Sequence, residues 1–582
     1  MMTDIAVLLY PLRMNFGNEV TLDTFSSSVI TLHLYTHFIH VKKYIYLSVI
    51  ALIGFSAFKA GDYFEISKNL DIFAEVYKEV NTTYVDDVKP GELVRAAIDG
   101  MLGSLDPYTN FYSEAQAEDY RYQTTGTYAG IGSTIRTIGD YVYIESPVEG
   151  FPAQKAGLLP GDKILEVSGE DMKGKKSNEL TDYLKGKVGT TFIIKIERLG
   201  EGVLEKSITR ENIKLKNVPY LGIIEDNIGY LQLTGFTPNA GKEVQDAVIE
   251  LKSKGATSIV LDLRNNGGGL LHEAINIVNV FVPRGETIVI TRGKFEEDNR
   301  TYKTLNSPVD TEIPLVVLIN GNSASASEIV SGALQDLDRA VLVGRNSFGK
   351  GLVQTTKRLT YNTSMKITTA KYYIPSGRLI QRLDYGNKVN GKAIAVADSV
   401  KKAFKTRRGR DVTDGEGIQP DKNIALPEFS KLAQSLIRNN LIFDYANKYR
   451  SEHPTAAEPL DFDVDDALYS DFTQFLSDKE YSYTTRTESD LERLEKQAKD
   501  DNYYVLLEPE LTKLKEAIDH TKKTDLMNQK AEIKELLEFE IIKRYYFERG
   551  KVEIAFDDDK DWAKVTEILG DKKVYNDILL GN

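Results

Sequence analysis

A serine and a lysine 25 residues apart are the pair in this chain best suited to covalent chemistry. Ser325 lies in Asn320-Gly321-Asn322-Ser323-Ala324-Ser325-Ala326-Ser327-Glu328, and Lys350 lies in Phe348-Gly349-Lys350-Gly351-Leu352-Val353-Gln354. A serine hydroxyl becomes a nucleophile when a neighbouring base takes its proton, and a lysine can be that base once its pKa falls toward neutrality. Histidine is poorly placed for the role. His33, His37 and His40 precede the strongly apolar segment of the chain, His453 and His520 lie in a charged tail, and His272 falls near the glycine-rich centre.

The elements that must position this pair are legible around it. Ile313-Pro314-Leu315-Val316-Val317-Leu318-Ile319 is short, apolar and β-branched, the pattern of a buried parallel strand, and Ser323 to Leu334 reads as a small-residue helix. A strand-to-helix turn at Ser325 leaves backbone N–H groups free to stabilise an oxyanion, with Ala326 N–H the nearest. The competing reading is a tightly packed, N-capped helix without chemistry. Ser258 to Arg264 is a second buried-strand pattern, running into Asn265-Asn266-Gly267-Gly268-Gly269 and a helix from Leu270 to Val280. Three glycines allow positive φ and close backbone approach, as a second oxyanion donor requires, although a tight turn with no ligand would need them equally. The spacing is neither that of a phosphate-binding loop nor that of a dinucleotide fingerprint. His272, in the first turn of the following helix, is expected to be exposed or capping.

Taken in order, these blocks resemble the C-terminal processing peptidases, or tail-specific proteases, a serine peptidase family with a Ser-Lys dyad. Gly100-Met101-Leu102-Gly103-Ser104-Leu105-Asp106-Pro107-Tyr108-Thr109 is similar to the family's amino-terminal signature, and Tyr128-Ala129-Gly130-Ile131-Gly132 to the opening of its embedded PDZ module. The glycine run, the serine block and the lysine block follow, then Ala370-Lys371-Tyr372-Tyr373-Ile374-Pro375-Ser376-Gly377-Arg378 and Gly417-Ile418-Gln419-Pro420-Asp421. The resemblance covers roughly residues 66 to 425. It implies an α/β multidomain protein: a crotonase/ClpP-like ββα protease core with an inserted PDZ domain, an N-terminal helical region and a mainly helical C-terminal extension. It implies Ser325 as nucleophile, Lys350 as base and Gln354 as third member, with Ala326 N–H and a glycine of the triple run, Gly268, as oxyanion donors. Asp336 also matches a family position, but a continuous helix would put it about 16 Å from Ser325 at ~1.5 Å per residue, so a structural role is expected.

Phe348, Gly349, Gly351, Leu352 and Val353 offer Lys350 no carboxylate, so its proton must be lost through burial. Cysteine and a Glu-x-x-His cluster are absent, the one His-x-x-x-His spacing, His33 to His37, falls in the leader ahead of the family-like blocks, and no metal or cofactor is called for. Residues 126–212 are expected to supply recognition. Ile131 to Arg136 alternates like an edge strand, Ala156 to Leu165 resembles the PDZ core turn, and Ser177 to Leu184 reads as the groove helix. A peptide could add as a strand there while N–H groups of Gly130, Ile131 and Gly132 hold its carboxylate, which favours protein substrates with unfolded, apolar C-termini. Two other classes compete: a non-catalytic PDZ scaffold, against which the intact Ser325, Lys350 and Gln354 count, and a crotonase-like acyl-CoA enzyme, against which the PDZ insertion counts.

At 582 residues the chain exceeds one core, and a net charge of −13 gives no support for nucleic-acid binding. Lys42-Lys43 precedes the apolar run Tyr44 to Phe58, which resembles the positive and apolar parts of a signal sequence. The expected compartment is periplasmic or otherwise extracytoplasmic, with the protein secreted or anchored to the inner membrane by residues 44–58. The organisation expected is a leader over 1–40, from a start site placed too early with Val41 as alternative initiator, then a signal or anchor over 41–60. A helical region at 61–125, the PDZ domain at 126–212, the protease core at 213–428 and a mainly helical domain at 429–582 complete it. Pairing of the helical regions in a homo-oligomer and an adaptor protein are the further partners expected.

Overall fold

Ser258–Asp262 and Leu315–Ile319 are buried at every position, because each belongs to a sheet covered on both faces. In the computed structural model, which describes residues 63–116, 125–425, 428–557 and 559–581, they are neighbours at the centre of a six-stranded sheet. Its strands are β1 (Tyr220–Ile223), β2 (Ile228–Gln232), β3 (Ser258–Asp262), β4 (Leu315–Ile319), β5 (Val341–Gly344) and β6 (Lys422–Asn423), and they stand in that order across the sheet. β1 runs antiparallel to β2, and the other pairs are parallel. Three crossover helices, α1 (Ala240–Ser253), α2 (Leu271–Phe281) and α3 (Ala326–Asp336), cover one face, where Val248, Val278 and Val330 pack with Leu261 and Val317.

The opposite face is covered from the far end of the chain. Val260, Val316, Leu318 and Val343 pack against Trp562, Val565, Ile568, Tyr575 and Leu579 of the helices Lys560–Gly570 and Lys572–Leu580. A parallel sheet needs both faces buried. The last two helices, read from sequence as part of a separate C-terminal domain, therefore complete the core of the six-stranded sheet. Tyr575 adds a polar tie, its hydroxyl accepting the Leu315 N–H at 2.9 Å.

A second sheet has a strand that begins two residues after Lys350. Leu352–Arg358 pairs antiparallel with Ser364–Tyr373, which also pairs with Thr287–Gly293 and with the short strand Asn110–Tyr112. A third sheet, in the order Ser133–Ile138, Tyr141–Pro147, Lys163–Val167, Thr191–Arg198, Gly202–Thr209, leaves Ser133–Ile138 at its edge with the helix Ser177–Leu184 beside it. This small domain has its own core, around Val142, Ile164, Leu180 and Ile196. It leans on the C-terminal helices Leu441–Glu452 and Lys530–Ile554: Arg136 donates to Asn440 Oδ1 at 3.0 Å, and Tyr143 meets Phe443 edge to face. Ahead of all this, residues 63–83 form a helix on which Leu70 and Phe73 are exposed, followed by a helix at Pro90–Gly103. The leader and the apolar run 44–58 lie outside the described residues, among which no helix is long and apolar enough to cross a membrane.

Candidate active site

Parallel neighbours end on the same side of a sheet, so the turns after β3 and β4 lie side by side at their carboxyl ends. Short polar side chains join the two turns. Ser323 Oγ donates to Leu263 O at 2.8 Å, Ser327 Oγ donates to Asn266 O at 2.8 Å, and Ala324 N–H donates to Asn266 O at 3.0 Å. Asn265, Asn320 and Asn322 interlock above them. Two of the three serines of the block thus spend their hydroxyls on the backbone. Ser325, between them, faces a cavity of about 350 Å³ instead.

Ser325 caps α3 with φ 57° and ψ −111°, a conformation that costs a non-glycine residue on the order of 1–3 kcal/mol and persists only where its surroundings hold it. The holder is Glu328, the third residue of the helix, whose buried carboxylate accepts the Ser325 N–H at 2.8 Å. The same carboxylate accepts Lys350 N–H at 2.9 Å, Gly349 N–H at 2.7 Å and Ser347 Oγ–H at 2.5 Å. Burial raises its pKa and these four donors oppose the rise. Tyr372 holds the same two residues from the other side, its hydroxyl lying 2.8 Å from Lys350 O and 3.2 Å from Ser325 O. One carboxylate and one phenol therefore fix the backbones of serine and lysine to each other.

Lys350 lines the same cavity, together with Gln354, Lys366 and the three glycines of the β3 turn. Burial lowers its pKa to about 8; Lys366 pushes the same way, while Glu328 and Asp106 pull it back. Its Nζ makes no ion pair or hydrogen bond with a described residue and sits 4.4 Å from the centre of the Tyr108 ring. Gln354 stands on the next strand and donates to Thr368 Oγ1 at 3.3 Å, without a bond to Lys350.

Of the expected oxyanion donors, Ala326 N–H is open among the described residues. Gly268 is pressed against Ser325: a Cβ there would lie 2.6 Å from Ala324 O and 2.9 Å from Ser325 Cβ, which is why the position demands glycine. Its N–H, however, is donated to Asn266 Oδ1 at 2.9 Å, so that donor is engaged. Asp336 lies at the far end of α3, paired with Arg378 at 3.0 Å, and His272 is exposed beside Glu273. Neither borders the cavity. Among the described residues no cluster of His, Asp or Glu side chains is arranged to hold a metal ion.

The sequence reading missed Glu328, Tyr372 and Tyr108. Glu328 carried a signal, the serine-to-glutamate spacing of a capping box. Nothing in the local sequence distinguishes Tyr372 from its neighbour Tyr373.

In the edge-strand domain, Gly130, Ile131 and Gly132 are buried where the strand Thr127–Gly130 gives way to Ser133–Ile138. The carbonyls of Ile131 and Gly132 accept the N–H groups of Ala153 and Val148, both at 2.8 Å. Among the described residues the N–H groups of Ile131 and Gly132 have no partner.

Comparison with known proteins places three parts of the chain in described families. The family description "Peptidase family S41" matches residues 227–386, "PDZ domain" matches residues 143–198, and "Probable PDZ-protease, C-terminal helical domain" matches residues 432–569. The chain is 40% identical over 354 residues to the carboxy-terminal-processing protease of Bartonella bacilliformis, covering 60% of this chain and 79% of the relative. It is 33% identical over 335 residues to the carboxy-terminal processing protease CtpA of Bacillus subtilis, covering 57% and 70%. Among solved structures it is similar to the photosystem II D1 C-terminal processing protease, with 27% identity, 61% and 94% coverage and a TM-score of 0.34. The chain belongs to the carboxy-terminal processing proteases of peptidase family S41, serine-type peptidases, and carries a PDZ domain of its own.

Proposed function

We propose that the chain is an endopeptidase that cleaves protein substrates with a Ser325-Lys350 pair after capturing their C-termini on the PDZ domain. The observation that carries this reading is the convergence of Ser325 and Lys350 on one cavity, with the lysine buried and without a carboxylate partner. Neutral Lys350 accepts the Ser325 proton as Oγ attacks the peptide carbonyl. The oxyanion is held by Ala326 N–H and by Gly268 N–H once this leaves Asn266. The resulting ammonium then protonates the leaving amine, and Lys350, neutral again, activates the water that hydrolyses the acyl-enzyme. Gln354 orients the lysine. The paired-turn architecture of the core supports a crotonase/ClpP-like ββα arrangement.

On the PDZ domain the peptide adds to the Ser133–Ile138 edge, its carboxylate held by N–H groups of Gly130, Ile131 and Gly132. Substrates with unfolded, apolar C-termini suit such a groove, and the apolar run 44–58 supports exported proteins as the pool, with the enzyme secreted or membrane-anchored. Subunit pairing through the helical regions and an adaptor belong to the same reading. The test is to incubate the purified protein, Ser325→Ala and Lys350→Ala with an unfolded substrate ending in apolar or charged residues. Cleavage is expected from the parent alone, faster for the apolar terminus. Turnover by Lys350→Ala at the parent rate would overturn the dyad.

A further inference from the structure

The turn Asp106-Pro107-Tyr108-Thr109 lies far ahead of the lysine in sequence, yet the fold anchors it beside the active-site cavity. The buried Asp106 carboxylate accepts Tyr108 N–H at 2.8 Å, Thr109 N–H at 2.9 Å and the Thr109 hydroxyl at 3.1 Å. Thr109 Oγ1 in turn accepts Thr368 N–H at 3.3 Å, and the next residues pair with the strand Ser364–Tyr373, setting Asn110 opposite Lys366. The Tyr108 ring is braced by Tyr385, edge to face at 5.9 Å, with the Tyr385 hydroxyl donating to the Tyr108 oxygen at 3.3 Å. Its free face points at Lys350, whose Nζ lies 4.4 Å from the ring centre.

We propose that the face of the Tyr108 ring is the resting seat of the Lys350 ammonium, which makes Tyr108 a positioning residue for the proton-transferring base. The proposal rests on the Ser-Lys reading above. A base that must be neutral to act cannot be held by a close carboxylate, because an ion pair would keep it charged. An aromatic face attracts the ammonium more weakly, so it holds the head group in place and releases it on deprotonation. The other charged groups around Lys350 fit this division. Glu328, on α3, spends its oxygens on four donors, and Asp106 spends its own on the Tyr108-Thr109 turn. Lys366, on the facing strand, repels the ammonium, and the Tyr372 hydroxyl is turned to the main chain.

The test replaces residue 108 in the full-length protein with phenylalanine and then with mono-, di- and trifluorophenylalanine, which weaken the ring's negative face while keeping its shape. The readout is the pH at which kcat/KM rises as the base loses its proton. Tyr108→Phe is expected to keep the parent profile, and the fluorinated series to shift the rise stepwise to lower pH, by about half to one unit in all. A profile unmoved by fluorination, or moved upward, overturns the seat. Tyr108→Leu should shift downward like the trifluoro variant with a lower kcat; should it fail to fold, the isosteric series still decides. A Lys350→Ala enzyme that keeps its activity would defeat the underlying reading as well, whereas an inactive Lys350→Ala together with a flat fluorine series would defeat the seat alone.

Discussion

Two glycine-bearing turns in this molecule carry the N–H groups on which the proposed function relies, and they are built differently. At the catalytic turn polar side chains fix the backbone: Glu328 grips Ser325 and Lys350, Ser323 and Ser327 cross to the β3 turn, and Asn266 holds Gly268. At the Gly130–Gly132 turn the fixing is apolar and backbone-made. A Cβ on Gly132 would lie 2.6 Å from Phe151 Cβ, and the neighbouring carbonyls are satisfied by main-chain N–H groups. On the proposed function the difference follows from the two tasks. A tetrahedral intermediate rewards donors held to fractions of an ångström, whereas a bound carboxylate tolerates adjustment. Substitutions at the first turn should therefore act on kcat, and those at the second on KM.

The sharpest challenge to this contrast is at the reacting groups. Ser325→Ala and Lys350→Ala should each lower kcat by ~10⁴-fold or more with the fold intact by circular dichroism, and the double variant should fall little further, because on the proposed function both belong to one proton-transfer unit. Additive losses in the double variant would separate the two residues. Next in size is Glu328→Gln. It keeps the volume but turns an amide N–H₂ toward N–H donors, and each buried group left unpaired costs about 1–3 kcal/mol. A fall in kcat of ~10²-fold with KM within a factor of two is expected from steady-state kinetics, and a rise in KM alone would show that Glu328 does not hold the catalytic backbone.

How much of this was legible in sequence follows from how local each cause is. Ser325, Lys350 and the glycine run, which the fold brings to one cavity, stand out by residue type, since a nucleophile, a base and a close-packed turn would each need particular chemistry at one place. The helix α3 was readable as well, although its start was read at Ser323 and lies at Ala326, with Ser325 as its cap. What could not be read was that Glu328 also reaches Gly349 and Lys350, because the lysine loop is brought to it only when Phe348 N–H docks on Ser323 O. The covering of β2 to β5 by Trp562 and Tyr575 is hidden for the same reason: amphipathic periodicity reports that a helix has an apolar face, not which surface receives it. Tyr108 belonged to a recognisable block, but its nearness to Lys350 depends on the pairing of Asn110–Tyr112 with a strand far along the chain.

A third prediction sets the catalytic turn's stability against its chemistry. In the folded protein the Lys350 pKa is about 8, below its ordinary value of 10.5, so the unfolded chain binds the proton more tightly. The native state is penalised in full below pH 8, and the penalty fades as pH rises toward 10.5. Lys350→Met should accordingly stabilise the protein at pH 7 by about 1–3 kcal/mol in denaturant unfolding, less in proportion as pH approaches 10.5. A destabilised Lys350→Met at pH 7 would mean that the contact with Tyr108 outweighs the cost of burial.

The smallest effects belong to the PDZ turn, and they test its half of the contrast. Gly132 has φ +70° and no room for a methyl group, so Gly132→Ala must shift the loop that carries the Ile131 and Gly132 N–H groups. For a long substrate with a free C-terminal carboxylate, KM should rise ~10-fold while kcat stays within a factor of two, because the catalytic turn is untouched. Amidating the substrate removes a charge and an acceptor from the same N–H donors and should raise KM for the parent enzyme by a similar factor. Applied together, the two changes should cost little more than either one, since both remove a single interaction. Independent, multiplying losses would show that the loop acts elsewhere than on the carboxylate. Equal KM values for free-acid and amidated substrates on the parent would show that the groove reads the side chains of the tail and not its end.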